Sequence, residues 1–150
     1  MTELLIRKTM QVDAPVETLW KILTDPEFIR QYMFGCNAET DWKPGSPLLW
    51  KGAADGKLYV QGHIVSINPP HYLEYTAFDS SSKIADIPSN YLTMKYTLKK
   101  RSDHASILEI TQGDFATVEE GQRRYKDSLE GDDSVLEGIK KLAEAQSQSR

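Results

Sequence analysis

The sequence predicts an α+β fold: a curved antiparallel sheet of about seven strands wrapped on a long C-terminal helix, with two short helices after the first strand. Three observations carry this. The longest helical periodicity lies near the C-terminus, where Val118, Tyr125, Leu129, Leu136, Ile139 and Ala143 recur in steps of 7, 4, 7, 3 and 4 along one side of a helix. Upstream, short alternating runs are separated by turn residues. The connections between these runs are too short for parallel crossovers, so the strands pair antiparallel.

In chain order, Leu4, Ile6, Met10 and Val12 share one parity, broken only by Lys8, and predict a half-buried first strand. Pro15 suits a helix's first turn, and Val16, Leu19, Trp20 and Leu23 face inward at helical spacing. Thr24-Asp25-Pro26-Glu27 starts a second short helix, a cap followed by proline, with Phe28, Ile29 and Tyr32 on its apolar side. Pro44-Gly45 favours a type II turn and Asp55-Gly56 a two-residue hairpin. Asn68-Pro69-Pro70 ends a strand from Leu58 to Ile67, within which Gly62 marks a bulge or bend. Leu92, Met94, Tyr96 and Leu98 alternate with polar neighbours, and Leu108, Ile110 and Gln112 repeat the pattern on the last strand.

The final helix is expected from Thr117 to about Ala145, with a polar Gln146–Arg150 tail that frays. It contains two capping boxes, Thr117-x-x-Glu120 and Ser134-x-x-Glu137, with Gly131 between them as a kink or break. Glu119-Glu120 can pair with Arg123-Arg124 at i, i+4. Between strands, Asp79–Asn90 forms a loop of about a dozen residues. It reads either as a lid or binding loop, or as a floppy crossover at a sheet edge.

The chain's 150 residues suit a single domain burying roughly 68–70% of its unfolded surface. A net charge of −4 without long runs of one sign argues against nucleic-acid binding, and the Lys99-Lys100-Arg101 triplet reads as a solvated hairpin end. Cys36 stands alone, which fits a reducing compartment and a buried structural role. With no signal-peptide pattern and no apolar run of membrane-spanning length, the expectation is a soluble cytoplasmic protein. His63, His71 and His104 lack metal-ligand spacing, and no nucleotide fingerprint or catalytic triad is legible; no metal, cofactor or catalytic residue is expected.

Val12-Asp-Ala-Pro-Val-Glu-Thr-Leu-Trp20 resembles the opening motif of the family named for homology to the activator of the heat-shock protein 90 ATPase. Thr24-Asp-Pro-Glu27, Asp41-Trp-Lys-Pro-Gly-Ser46, Gly62-His-Ile-Val-Ser-Ile-Asn-Pro-Pro70 and Leu73-Glu-Tyr-Thr76 are similar to further family segments, in family order. The wider grouping is the START and birch-pollen-allergen superfamily (SRPBCC), so the resemblance implies a helix-grip fold with a cavity between sheet and helix. It is a resemblance to only the C-terminal type of the two regions found in eukaryotic co-chaperones. Two departures stand out. Gly131 is followed by Asp132 where the family commonly has tryptophan, so Asp132 is either solvated at a break or protonated in a cavity. Gln112 occupies a place where family members can carry histidine.

Tyr96 and Gln112 share the apolar parity of their strands and are expected to point at the helix; Tyr75, beside Leu73, is similarly placed. With Trp50, Met94, Leu136 and Ile139 they form the candidate ligand-binding set, although each aromatic can also simply fill the core. The leading expectation is non-catalytic binding of a small apolar or aromatic molecule, with the Asp79–Asn90 loop gating access. The alternatives are a module regulating a chaperone or other protein partner, and a cyclase or hydrolase of the wider superfamily, which here lacks an obvious acid–base pair.

Overall fold

Alternation of apolar and polar side chains builds the sheet. The computed structural model describes residues 3–130 and 134–148. Its strands are β1 (Ile6–Val12), β2 (Cys36–Glu39), β3 (Pro47–Gly52), β4 (Leu58–Asn68), β5 (Tyr72–Asp79), β6 (Leu92–Ser102) and β7 (Ala105–Gly113). They pair in the order β1–β7–β6–β5–β4–β3–β2, every neighbour antiparallel, and the sheet is open. Four helices accompany it among the described residues: α1 (Val16–Thr24), α2 (Pro26–Tyr32), α3 (Gly121–Glu130) and α4 (Ser134–Gln148). This is the predicted α+β helix-grip arrangement.

Local chemistry sets most boundaries. The Asp25 carboxylate accepts from Glu27 N at 3.0 Å and Pro26 takes the first position of α2, so the two short helices meet at one capped corner. At Lys43–Ser46 the turn closes by Ser46 N donating to Lys43 O at 3.0 Å, with Gly45 at φ +85°. The β3–β4 connection is longer than the two-residue hairpin expected from Asp55-Gly56. Gly52 N bonds Lys57 O at 3.0 Å, and the Asp55 carboxylate accepts from Lys57 N and Tyr59 Oη. The side-chain acceptor holds the wider loop. Gly62 does not itself mark the bulge, since the β4–β5 register shifts between Ile64 and Ser66. A Cβ on Gly62 would sit 1.8 Å from the Thr76 carbonyl oxygen, so glycine is required there for backbone approach.

The C-terminal region differs from the single rod expected from Thr117. Residues 117–120 are a bend and a turn, and the first helical bond runs from Arg124 N to Glu120 O at 2.9 Å. Glu120 adopts φ +55°, outside helical geometry, and Gly121 lies so close to Phe115 that a Cβ would meet its carbonyl oxygen at 1.8 Å. The Thr117 hydroxyl donates to Asp114 O instead of capping a helix. Leu129, placed by periodicity on the buried stripe, is 50% exposed. α4 continues through Gln148, so the expected fraying tail is helical as far as that residue. The break expected at Gly131 and the environment of Asp132 lie outside the described residues.

The main core joins Leu19, Ile22 and Ile29 of α1 and α2 to Leu73, Leu98 and Leu108 of the sheet, with Ile139 and Ala143 of α4 closing it. α4 rests on α1 and α2 as well as facing the sheet. Gly138 permits this, because a Cβ there already meets Tyr32 Cβ at 3.2 Å. A smaller cluster of Ile6, Leu92, Phe115 and Val118, with Leu4 and Tyr125 against it, anchors the α3 end. Phe115 and Tyr125 meet edge to face at 5.6 Å.

Candidate functional site

Residues two apart on one strand share a face, and the register brings several such pairs together. Tyr75 lies opposite Met94, Met94 opposite Gln112, Tyr96 opposite Ile110, and Ile6 opposite Gln112. With Trp50 and Val60 of the neighbouring strands they floor a recess of about 360 Å³. Its other walls are Met33 at the end of α2, Ser128 of α3, and Val135 and Leu136 of α4.

Six of the seven candidate residues therefore surround one space: Trp50, Tyr75, Met94, Tyr96, Gln112 and Leu136. Ile139 does not; it is fully buried in the solid core one helical turn further on. Lys8 also lines the recess, and sequence reasoning missed it as a wall residue. The signal was present, since the residue that broke the apolar parity of β1 keeps that parity's direction. Ser128 was not foreseeable, because its position depends on where α3 lies.

Trp50, Tyr75 and Tyr96 form a row, with centroids 6.0 Å and then 5.9 Å apart, the two tyrosines stacked at 25°. Their hydroxyls are 3.3 Å from each other. Burial, then the neighbouring Tyr96, pushes the Tyr75 phenol well above its ordinary value; burial also raises Tyr96. Tyr32, whose hydroxyl donates to Leu23 O at 3.0 Å, is raised by burial and secondarily by Tyr96. Tyr75 and Tyr96 are neutral hydrogen-bonding groups in the recess wall, and Tyr32 lies in the core beside them. Gln112 is half-buried, and its amide meets no hydrogen-bond partner among the described residues. The recess thus offers aromatic faces, aliphatic side chains and a few polar tips.

The Asp79–Asn90 loop is tied down. Gln61 Nε2 donates to Asp86 Oδ2 at 2.7 Å and to Tyr91 Oη at 2.9 Å, and Tyr91 Oη donates to Asp86 Oδ1 at 2.6 Å. Ile84 is buried, and a 3-10 turn at Pro88–Asn90 closes the segment. Asn90 Nδ2 donates to Ala85 O, while its Oδ1 accepts from Glu119 N at 2.9 Å. The loop is therefore fastened to the approach of α3, and it is not a floppy crossover.

Other candidates resolve differently. Cys36 is half-buried at the start of edge strand β2 and was expected deeper; burial, then Asp55, raises its thiol pKa. His63 Nδ1 lies 3.1 Å from Thr76 Oγ1 on an exposed part of the sheet, and His71 Nδ1 lies 3.2 Å from Leu98 O. Among the described residues no group of three or more His, Cys, Asp or Glu is placed to hold a metal ion. No helix among them is long and apolar enough to cross a membrane. Lys100 pairs with Asp103 at 3.1 Å at the solvated β6–β7 end.

A family model described as "Activator of Hsp90 ATPase homolog 1-like protein" matches residues 13–144. The solution structure of ChR145 from Cytophaga hutchinsonii is 33% identical over 99% of this chain and 100% of that one, with a TM-score of 0.74. MLL2253 from Mesorhizobium loti shares 19% identity over 94% and 97% of the two chains, with a TM-score of 0.73. PFC0360w, an HSP90 activator from Plasmodium falciparum, is 17% identical over 93% and 95%, with a TM-score of 0.67. None of the curated proteins matches.

Proposed function

The chain belongs to the Activator of Hsp90 ATPase homolog 1-like family, and from that premise we propose that it holds a small apolar or aromatic molecule between sheet and C-terminal helices without transforming it. The observation that supports this is the recess of about 360 Å³ floored by Trp50, Tyr75 and Tyr96, with Gln112's amide unpaired among the described residues at its edge. Aromatic walls bind apolar matter by area and face contact, and a few polar tips fix its orientation. The titratable groups on its wall, among the described residues, are Lys8, Tyr75 and Tyr96. Holding a guest uses all of these features; bond cleavage calls for an acid–base pair in addition.

The test uses 1-decanol and 2-naphthol with thermal melting and calorimetry. Both raise the melting temperature of the wild-type protein, and Met94→Trp, which fills the recess, abolishes binding while the fold persists. Gln112→Leu weakens 2-naphthol more than n-decane, added as a purely apolar comparison. Absence of binding by either probe, or unaltered binding by Met94→Trp, removes the reading.

A second reading, regulation of a protein partner of the Hsp90 type, draws on one surface feature. Phe34 is 77% exposed beside an apolar recess formed with Met33, Ala53, Ala54 and Tyr59. On this reading the purified chain raises Hsp90 ATPase turnover and Phe34→Asp cancels the rise. Unchanged turnover sinks it.

A further inference from the structure

A second recess, of about 320 Å³, lies between the Asp79–Asn90 loop and α3. Val60, Ala77, Gln112 and Ser128 line both recesses, so the apolar hollow and this mouth adjoin. Two groups in it are chemically incomplete. Ser82 Oγ is shut off from solvent and has no hydrogen-bond partner among the described residues, an unfavourable state for a hydroxyl. Arg124 is half-buried, and its Nη1 donates to Asn90 O at 3.2 Å.

The nearby carboxylates, of which Asp79 and Asp127 line the same recess, each hold another group directly. Glu120 and Asp127 hold Arg123, at 2.9 and 3.2 Å. The Asp79 carboxylate accepts from Ser81 N and Oγ, at 2.9 and 2.7 Å. The i, i+4 pairing of Glu120 with Arg124 read from sequence is therefore not made; the i, i+3 partner Arg123 takes Glu120 instead. Among the described residues Arg124 has no ion pair. Burial, then the like charge of Arg123, lowers its pKa, against the weaker opposing pull of Asp79 and Glu120.

We infer that this mouth takes the anionic head of an amphipathic organic acid, bound by Arg124 and the Ser82 hydroxyl, with its apolar tail in the Trp50–Tyr75–Tyr96 recess. The inference rests on the proposed binding reading and narrows it to a chemical class. A guanidinium fork matches the planar oxygen pair of a carboxylate, and also engages a phosphate ester. Gln112, at the junction, is placed beside the first atoms of the tail.

Calorimetry on the full chain with decanoate, decyl phosphate and 1-decanol, at low salt and pH 7.5, tests this. The wild-type protein binds one or both anions at least about tenfold tighter than the alcohol, the scale of one hydrogen-bonded charge. The preferred anion identifies the head as carboxylate or phosphate. Arg124→Gln brings the anions within about twofold of decanol and leaves decanol unchanged, Ser82→Ala narrows the gap partly, and Lys8→Gln preserves it. If Arg124→Gln fails to fold, salt decides on the wild type: the preference shrinks as salt rises.

Equal binding of all three probes, a salt-independent gap, or loss of preference in Lys8→Gln but not Arg124→Gln overturns the inference and leaves the binding reading standing. So does an Arg124→Gln variant that weakens all three probes alike. Failure of every probe to bind overturns both.

Discussion

The same concave face of the sheet is finished in two ways at its two ends. Under α1, α2 and α4 it is solid: Leu19, Ile22, Leu73, Leu98, Leu108 and Ile139 are almost fully shielded. Toward α3 and the Asp79–Asn90 loop it is hollow, and similar side chains line space without filling it. The difference lies in how closely the helices approach. Gly138 brings α4 against Tyr32, so Ile139 and Ala143 reach the core. α3 carries a mostly polar surface, GQRRYKDSLE, and Tyr125 is the α3 side chain that packs on the small Phe115 cluster. A helix with little apolar surface has little to gain by moving closer, so room remains beneath it.

The sharpest test of that contrast is truncation at the solid end. Ile139→Ala leaves a void among side chains that cannot collapse, and unfolding in urea is expected to show a loss of about 2–5 kcal/mol. A loss under 1 kcal/mol breaks the distinction between the two ends.

The second test uses the tyrosines at the boundary. The folded-state pKa of Tyr75 is raised above the ordinary value near 10, so the unfolded chain gives up that proton first. The stability this contributes is intact below pH 10 and falls as pH rises beyond it, at up to about 1.4 kcal/mol per pH unit for one such group. Tyr75→Phe costs about 0.5–1.5 kcal/mol at pH 8, where the link to Tyr96 is lost, and makes the alkaline decline shallower. Urea unfolding between pH 8 and pH 11 checks both; parallel curves for the two proteins contradict the buried, neutral phenol.

The smallest effect belongs to the hollow end. Leu129 repeats the spacing of Ile139 in sequence but faces solvent, so Leu129→Ala is expected to change stability by less than about 0.5 kcal/mol. A cost comparable to that of Ile139→Ala would show α3 pressed inward like α4.

Much of the site was legible because strands report their own faces. Tyr75, Met94, Tyr96 and Gln112 could be assigned inward from alternation alone, and antiparallel pairing then sets them side by side. Helices were less legible. The periodicity from Val118 to Ala143 looked continuous, yet Leu129 and Ile139, on the same stripe, have opposite environments. Ser82 and Arg124 carried no signal at all: one sits in a serine-rich loop, the other in a charged run that suggested surface pairing with Glu120.

Sequence by itself determined the strand faces, the capped corner at Asp25-Pro26, the turn at Pro44-Gly45 and the family resemblance, because each depends on neighbours a few residues away. Tertiary structure alone decided where side chains fill and where they only line, and which arginine has no ion pair among the described residues. Those outcomes depend on how near separate elements come to rest, a distance set by Gly138, Phe115 and Asn90 acting across the fold.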